Sequence, residues 1–302
     1  MNKMAPEKIV VQTFYDQVGW QEDSASRVFM DAHLFDDLRA VTEPYRARAN
    51  ERVRELLDAG GEFLLDVASG PVQFESYQRF SDPYGKRVCV DLSIRALTGA
   101  RSRIGDRGWF VQADITALPF RDDVFDGIVS MHTIYHVPAD EQQIAIRELY
   151  RTLKPGRRAV VVYNWPRNPL KRLIAFPFEL VDGVKGMILK IPGARYFISR
   201  IKRRFSRGRS EQIEFEENHR ASLSLYFHAH PLRWFRRQSD SLFQLDLLCW
   251  RSVDVPFLRR VKESERGRAL LRWIQKAEDR FPRWMGRIGA YPLLVIRKGS
   301  TR

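Results

Sequence analysis

The sequence predicts an α/β protein built on a seven-stranded, mostly parallel sheet flanked by helices. Three observations carry that expectation. Short apolar runs alternate with helical patterns from about residue 62 to residue 165. Three of the runs end at an aspartate: Asp66, Asp91 and Asp114. The charge balance then breaks sharply near Trp165. Residues 1–165 carry 21 basic and 24 acidic side chains, whereas residues 166–302 carry 30 and 13.

The elements follow in order. Residues 5–58 read as helical, and the segment from Asp36 to Leu57 ends in the stop Ala59-Gly60-Gly61. EFLLDVASG (62–70) is a buried strand entering a tight turn at Gly70. RVCVDLS (87–93) is a second strand, followed by a helix over 93–104. WFVQADI (109–115) and DGIVSMH (126–132) are the third and fourth strands. Residues 139–153 are an amphipathic helix with apolar Ile144, Ile146, Leu149 and Leu153. Pro155 and Gly156 suit the centre of a type II turn before AVVVYNW (159–165), the fifth strand.

Alternation stops there. Residues 168–206 suggest short helices broken by Pro177 and by Pro192-Gly193. It returns with a helix at 231–239, a strand at 243–253, a helix at 262–284 and a last strand at 291–298. The expected organisation is therefore N-terminal helices plus a core over 1–165, a basic helical insertion over 166–230, and the remainder of the sheet, with its own helical insertion, over 231–302.

Composition narrows the class. The chain has 302 residues, 44% hydrophobic and 29% charged, which excludes disorder and collagen-like structure. Cys89 and Cys249 are too few for a disulfide framework or a thiolate zinc site, and suit a reducing compartment. The opening residues lack the apolar core of roughly 7–15 residues that a secretory leader needs. No window offers the ~18 apolar residues of a spanning helix. Cytoplasmic placement is the expectation, with the membrane surface as a second location.

In an open parallel sheet, ligands bind outside the carboxyl ends of the strands. Three acids at successive strand ends would line one crevice there. A carboxylate after the second strand suits a ribose diol, because it accepts two hydroxyl hydrogen bonds. Gly70 would let a backbone approach a ligand closely. A dinucleotide fingerprint wants three glycines, and Ala68-Ser69-Gly70-Pro71-Val72-Gln73 has one.

The downstream motifs carry a resemblance. D-V-A-S-G-P, V-D-L-S, Q-A-D-I-T-A-L-P-F, F-D-G-I-V-S-M-H and L-K-P-G occur in this order. Together they resemble class I S-adenosylmethionine-dependent methyltransferases, in particular the group with the ubiquinone and menaquinone enzymes. The resemblance spans about residues 40–165 and returns weakly at 231–253 and 291–298. It implies a Rossmann-like fold and S-adenosylmethionine as cofactor. Asp66, Ala68 and Gly70 would hold its methionine end. Asp91 would take the ribose hydroxyls, with Leu92 on the adenine. Asp114 would accept from the adenine amino group beside Ile115. Ser130, Met131 and His132 would border the sulfonium and the acceptor. Tyr15 and Trp20 would close over the cofactor as an N-terminal lid. Ala68 and Val72 stand where the family usually has glycine, and Val72 tightens the loop.

The acceptor expected from this resemblance is a small or lipidic molecule, methylated in line on oxygen, nitrogen or carbon. An oxygen or nitrogen nucleophile benefits from a general base, and imidazole titrates in the useful range. His132, His228 and His230 are the candidates. The last two lack a third metal ligand, so no metal site is expected. Asp126 and His136 read as structural. Residues 166–210 hold 12 basic and 2 acidic side chains among apolar ones. They would meet an anionic membrane, RNA as the less favoured partner, or only solvent above a small substrate. A cofactor-binding scaffold without catalysis is the non-enzyme alternative.

Overall fold

The computed structural model describes residues 4–24, 26–57, 59–170 and 225–299. Of the basic insertion expected over 166–230, residues 171–224 lie outside them. The described residues up to Asn168 and from Leu225 onward belong to one compact unit.

Its centre is a seven-stranded sheet in the order β3-β2-β1-β4-β5-β7-β6. The strands are β1 (Gly61–Val67), β2 (Tyr84–Asp91), β3 (Gly108–Gln112), β4 (Phe125–Met131), β5 (Leu153–Val162), β6 (Gln244–Arg251) and β7 (Tyr291–Arg297). The first five pair in parallel, and β7 runs antiparallel to both β5 and β6. Strand order reverses between β1 and β4, and a crevice opens at such a switch point.

The strands read as continuous apolar runs because both sheet faces are buried. Leu65, Val67, Val88, Val90 and Ile128 enter one core. Leu64, Cys89, Val129 and Val160 enter the other. The second face also holds an ion pair between Asp66 and Arg87, each almost wholly buried. Among the described residues, no helix is long and apolar enough to cross a membrane.

The helical stretch expected over 5–58 is three helices instead: α1 (Pro6–Phe14), α2 (Met30–Phe35) and α3 (Glu43–Leu56). A wide turn over Tyr15–Gly19 extends α1. The chain then doubles back through a bridge between Glu22 and Phe29. The helix expected from Asp36 starts only at Glu43, with Pro44 in its first turn. Side-chain capture breaks the earlier part: Arg251 holds Asp36 and Arg39 holds Asp37.

β3 stops at Gln112, short of Ile115. There the Asp114 carboxylate accepts hydrogen bonds from the Thr116 amide and hydroxyl, which turns the chain. Short α4 (Glu75–Gln78) precedes β2, and α5 (Ile94–Ile104) follows it. α6 (Gln142–Thr152) leads straight into β5, which begins at Leu153 and contains Gly156 at φ 74°. The expected Pro-Gly turn is thus absorbed into a strand.

After β5 the described chain resumes before α7 (Leu232–Leu242). The single helix expected over 262–284 is two, α9 (Glu265–Arg280) and α10 (Pro282–Ile288), preceded by α8 (Val255–Arg260). Pro282 disfavours helical geometry at Phe281, whose φ and ψ are −128° and 52°. Glu278 of α9 is fully buried and accepts from Tyr45, Arg52 and the Ser252 amide. That network locks α3 and α9 to the end of β6.

Candidate active site

The carboxyl edge of the sheet gathers most of the residues singled out from the sequence. The turn after β1 is the centre. Ala68, Gly70 and Val72 all take left-handed backbone conformations, with φ of 51°, 54° and 53°. Glycine adopts that region freely, whereas other residues pay roughly 1–2 kcal/mol each. The chain therefore keeps the loop shape without two of the expected glycines. Val72 is fully buried in the second core, which offsets its strain.

Asp91 ends β2 and ties to this loop. Its Oδ2 accepts the Gly70 amide at 2.9 Å and its Oδ1 accepts the Ser93 amide at 2.9 Å. Desolvation pushes its pKa up to about 6, with negative Asp66 and Asp16 adding to the effect against those two hydrogen bonds. Trp20 closes on the loop, so that a Cβ on Gly70 would stand 2.9 Å from its indole. Tyr15 stacks on Trp20 at 4.7 Å. Burial, with Asp31 and Asp91 beside it, holds the Tyr15 phenol well above its usual range.

The α1 segment lies along the same edge. Gln12 donates to the Leu92 carbonyl at 3.0 Å, and the Ser93 hydroxyl donates to Asp16. Lys8 donates to Asp114 at 2.6 Å and to Thr116 at 2.9 Å, and also pairs with Glu141. Burial disfavours the Lys8 charge, but the two carboxylates outweigh it and raise its pKa. Asp114 thus fastens the N-terminal segment through Lys8, a residue that the sequence reading missed. Ile115 is buried beside it, and Leu92 stays partly accessible.

Asp66 is placed differently from what the resemblance implied. Arg87 donates to its Oδ2 through Nε at 3.0 Å and through a second nitrogen, and also donates to the Tyr77 carbonyl at 2.5 Å. The Asp66 carboxylate is therefore engaged within the second core, beneath the loop, instead of facing a ligand. Asp126 takes the structural part expected of it, at the opposite edge. It accepts the Glu62 and Phe63 amides and the Lys154 ammonium.

At the end of β4, Ser130 is buried, while Met131 and His132 are partly accessible. The His132 ring lies 4.5 Å from Trp250 and 5.6 Å from Tyr291. Burial, reinforced by Arg251, lowers its pKa to about 3. A neutral ring with so little basicity can border an acceptor but is a poor proton acceptor at neutral pH. His228 is exposed, and its amide donates to the Tyr135 carbonyl at 2.8 Å. His230 stacks on Trp234 at 4.1 Å, with Nε2 3.1 Å from the Ala139 carbonyl. Those contacts set the pair beside α7, linked to His132 through Tyr135 and Tyr163. His136 packs, as expected: its Nδ1 meets the Tyr226 carbonyl at 2.7 Å and its ring faces Tyr15. Among the described residues, no third ligand joins the two histidines to hold a metal.

The second missed residue is Asp31 on α2. Gln73 donates to its Oδ2 at 2.8 Å. Desolvation, with Asp36 adding to it against that hydrogen bond, raises its pKa to about 6. Its charge is felt by both Tyr15 and Tyr135. No spacing rule points to Asp31, because only the doubling back of residues 20–29 brings it to this edge.

An S-adenosylmethionine fits these residues. The left-handed loop brings backbone to the crevice, Asp91 supplies a carboxylate, and Tyr15 and Trp20 supply aromatic cover. Trp20 Nε1, Gln73 Oε1 and Ser130 Oγ are buried polar atoms with no hydrogen-bond partner among the described residues. Buried polar groups are normally satisfied, and such orphans suit a ligand.

Comparison with known proteins points the same way. Residues 65–161 match the family profile described as a methyltransferase domain. The ubiquinone/menaquinone biosynthesis C-methyltransferase UbiE of Hahella chejuensis is 34% identical over 117 residues, 36% of this chain and 46% of that protein. Its counterpart from Stutzerimonas stutzeri is 33% identical over 130 residues, 40% of this chain and 50% of that protein. The chain spans about half the length of these curated relatives. The solved magnesium protoporphyrin IX methyltransferase of Synechocystis PCC 6803, with bound SAH, shares the fold. Its TM-score is 0.50 at 12% identity, covering 96% of this chain and all of that one. The motif order, the loop geometry and the profile match agree: residues 65–161 resemble a methyltransferase domain of the kind that uses S-adenosylmethionine.

Proposed function

We propose that the protein transfers a methyl group from S-adenosylmethionine to a small or lipidic acceptor held at the carboxyl edge of the sheet, near Met131 and His132. The observation that carries this reading is the left-handed 68–72 loop bonded through Gly70 to Asp91 beneath Tyr15 and Trp20. The cofactor, when bound, supplies a methyl group already activated by its sulfonium. The chain must then align the acceptor and exclude water.

Each residue has a part in that task. Asp91 accepts hydrogen bonds from the ribose hydroxyls while its other contact keeps the loop in shape. Tyr15 and Trp20 shield the site from water. Asp31, which accepts a hydrogen bond from Gln73 and lies close enough to Tyr15 and Tyr135 for its charge to reach both, is the candidate base for the proton that an oxygen or nitrogen acceptor loses; its raised pKa suits that part. His132 borders the acceptor as a neutral ring. A carbon acceptor, as with the C-methyltransferase relatives, would make Asp31 the base for a carbon acid.

Calorimetric titration with S-adenosylmethionine and its demethylated product tests the cofactor site. Wild type should bind both in the micromolar range, on the order of −8 kcal/mol, and Asp91→Ala should lose that binding. Labelled-methyl transfer into lipid, small-molecule and RNA extracts then identifies the acceptor class. Absence of binding to wild type would reduce the reading to a fold without activity. Binding without transfer to any extract would favour the scaffold alternative.

A further inference from the structure

The helices before β7 leave an apolar surface that nothing in the methyltransferase reading uses. On α9, Gly267, Leu271, Ile274 and Glu278 face the protein. The other side of the helix leaves Leu270 42% exposed and Trp273 68% exposed. At the corner into α10, Phe281 is 56% exposed and Trp284 is 55% exposed. Scattered exposed side chains are ordinary, but three large aromatics and a leucine within fifteen residues of one helical corner are not.

The surrounding charge says what covers them. Residues 259–287 contain ten Lys or Arg and four acids. All four acids are already committed within the protein. Glu278 and Asp279 pair with Arg52, Glu265 with Arg268, and Glu263 approaches Arg39. The field around the aromatics is therefore positive. Trp and Phe beside Lys and Arg suit the boundary between lipid headgroups and acyl chains, with the cations on anionic headgroups. A second copy of this chain would bring like charge against like charge, which disfavours self-association here.

We infer that Leu270, Trp273, Phe281 and Trp284 form a docking surface for an anionic lipid bilayer. The inference is independent of the methyl-transfer chemistry and of residues 171–224.

The test uses the full chain and vesicles of phosphatidylcholine alone or in a ~3:1 mixture with phosphatidylglycerol. The triple variant Trp273→Ser/Phe281→Ser/Trp284→Ser removes exposed side chains, so its circular dichroism and Tm should match wild type. Wild type should co-sediment with the anionic vesicles only, and the variant should bind at least about tenfold more weakly. Lipids brominated on the acyl chains should quench wild-type tryptophan fluorescence, and Trp273→Phe/Trp284→Phe should lose that quenching while binding is retained. Equal binding by the triple variant would assign lipid contact to another part of the chain and overturn the inference. So would quenching that persists in the Phe variant, or preferential binding of an RNA oligonucleotide over anionic vesicles. A concentration-dependent dimer in wild type that the triple variant abolishes would make the surface a self-interface instead.

Discussion

At the scale of single residues, the site turns on two carboxylates whose pKa values are both raised to about 6, Asp31 and Asp91. Their parts separate kinetically. Protonating Asp91 weakens its grip on ribose hydroxyls, so cofactor affinity should fall below about pH 6. Protonating Asp31 would remove the proposed base, so kcat at saturating cofactor should show its own acidic limb near the same value. Asp31→Asn should lower kcat by about 10²–10⁴-fold for an oxygen or nitrogen acceptor and erase that limb. His132→Ala should leave the limb in place, since a ring with a pKa near 3 does not titrate there. A pH profile of kcat and of cofactor Kd, measured on the three proteins, decides between them. The strained loop offers a third substitution. Ala68 sits at φ 51°, so Ala68→Gly relieves left-handed strain and should raise stability by up to ~1 kcal/mol in chemical denaturation.

At the scale of elements, two connections hold secondary structure to the site. Lys8 fixes α1 over the carboxyl edge through Asp114 and Glu141, and thereby sets Tyr15 and Trp20 over the loop. Lys8→Met leaves two carboxylates without their cation. Cofactor affinity should fall more than overall stability does, and parallel titration and thermal melts would show the split. Arg52 performs the equivalent service for α3, α9 and the end of β6. Glu278 is fully buried, so Arg52→Met strands a charge and should destabilise by about 3–5 kcal/mol, as denaturant unfolding would measure. Element boundaries were the weakest part of the sequence reading. Helical spacing over 5–58 is real, but nothing local shows that Arg251 captures Asp36, or that Glu22 bridges to Phe29. Pro282 did mark a break within the long C-terminal helix, and its effect on the preceding residue is a local rule that could have been applied.

At the scale of the whole molecule, the titrating groups pull in opposite directions. Asp31 and Asp91 have folded pKa values above the ordinary 3.8, so the folded state binds their protons more readily than the unfolded chain does. Their contribution is destabilising above about pH 6 and fades as the pH falls toward 4. Asp36 and Asp126 lie below 3.8, because cationic and hydrogen-bonding neighbours outweigh their desolvation. Their stabilisation is present above the unfolded value and is lost as the pH drops through their folded values. The cofactor-free protein should therefore gain stability from these four groups between about pH 7 and pH 5, then lose it toward pH 3. Thermal melts across that range would check the sign. Saturating cofactor should move the optimum upward, because it favours ionised Asp91. The sequence by itself determined the sheet, the crevice edge and the acids at the end of β2 and just beyond β3. Continuous apolar runs and turn residues are local signals of burial on both faces. Only the tertiary structure decided that Asp66 pairs with Arg87, that Lys8 takes hold of Asp114, and that Asp31 joins the site. Those pairings span 21, 106 and 42 residues (the last through Gln73), and no local pattern encodes which distant charge will share a desolvated space.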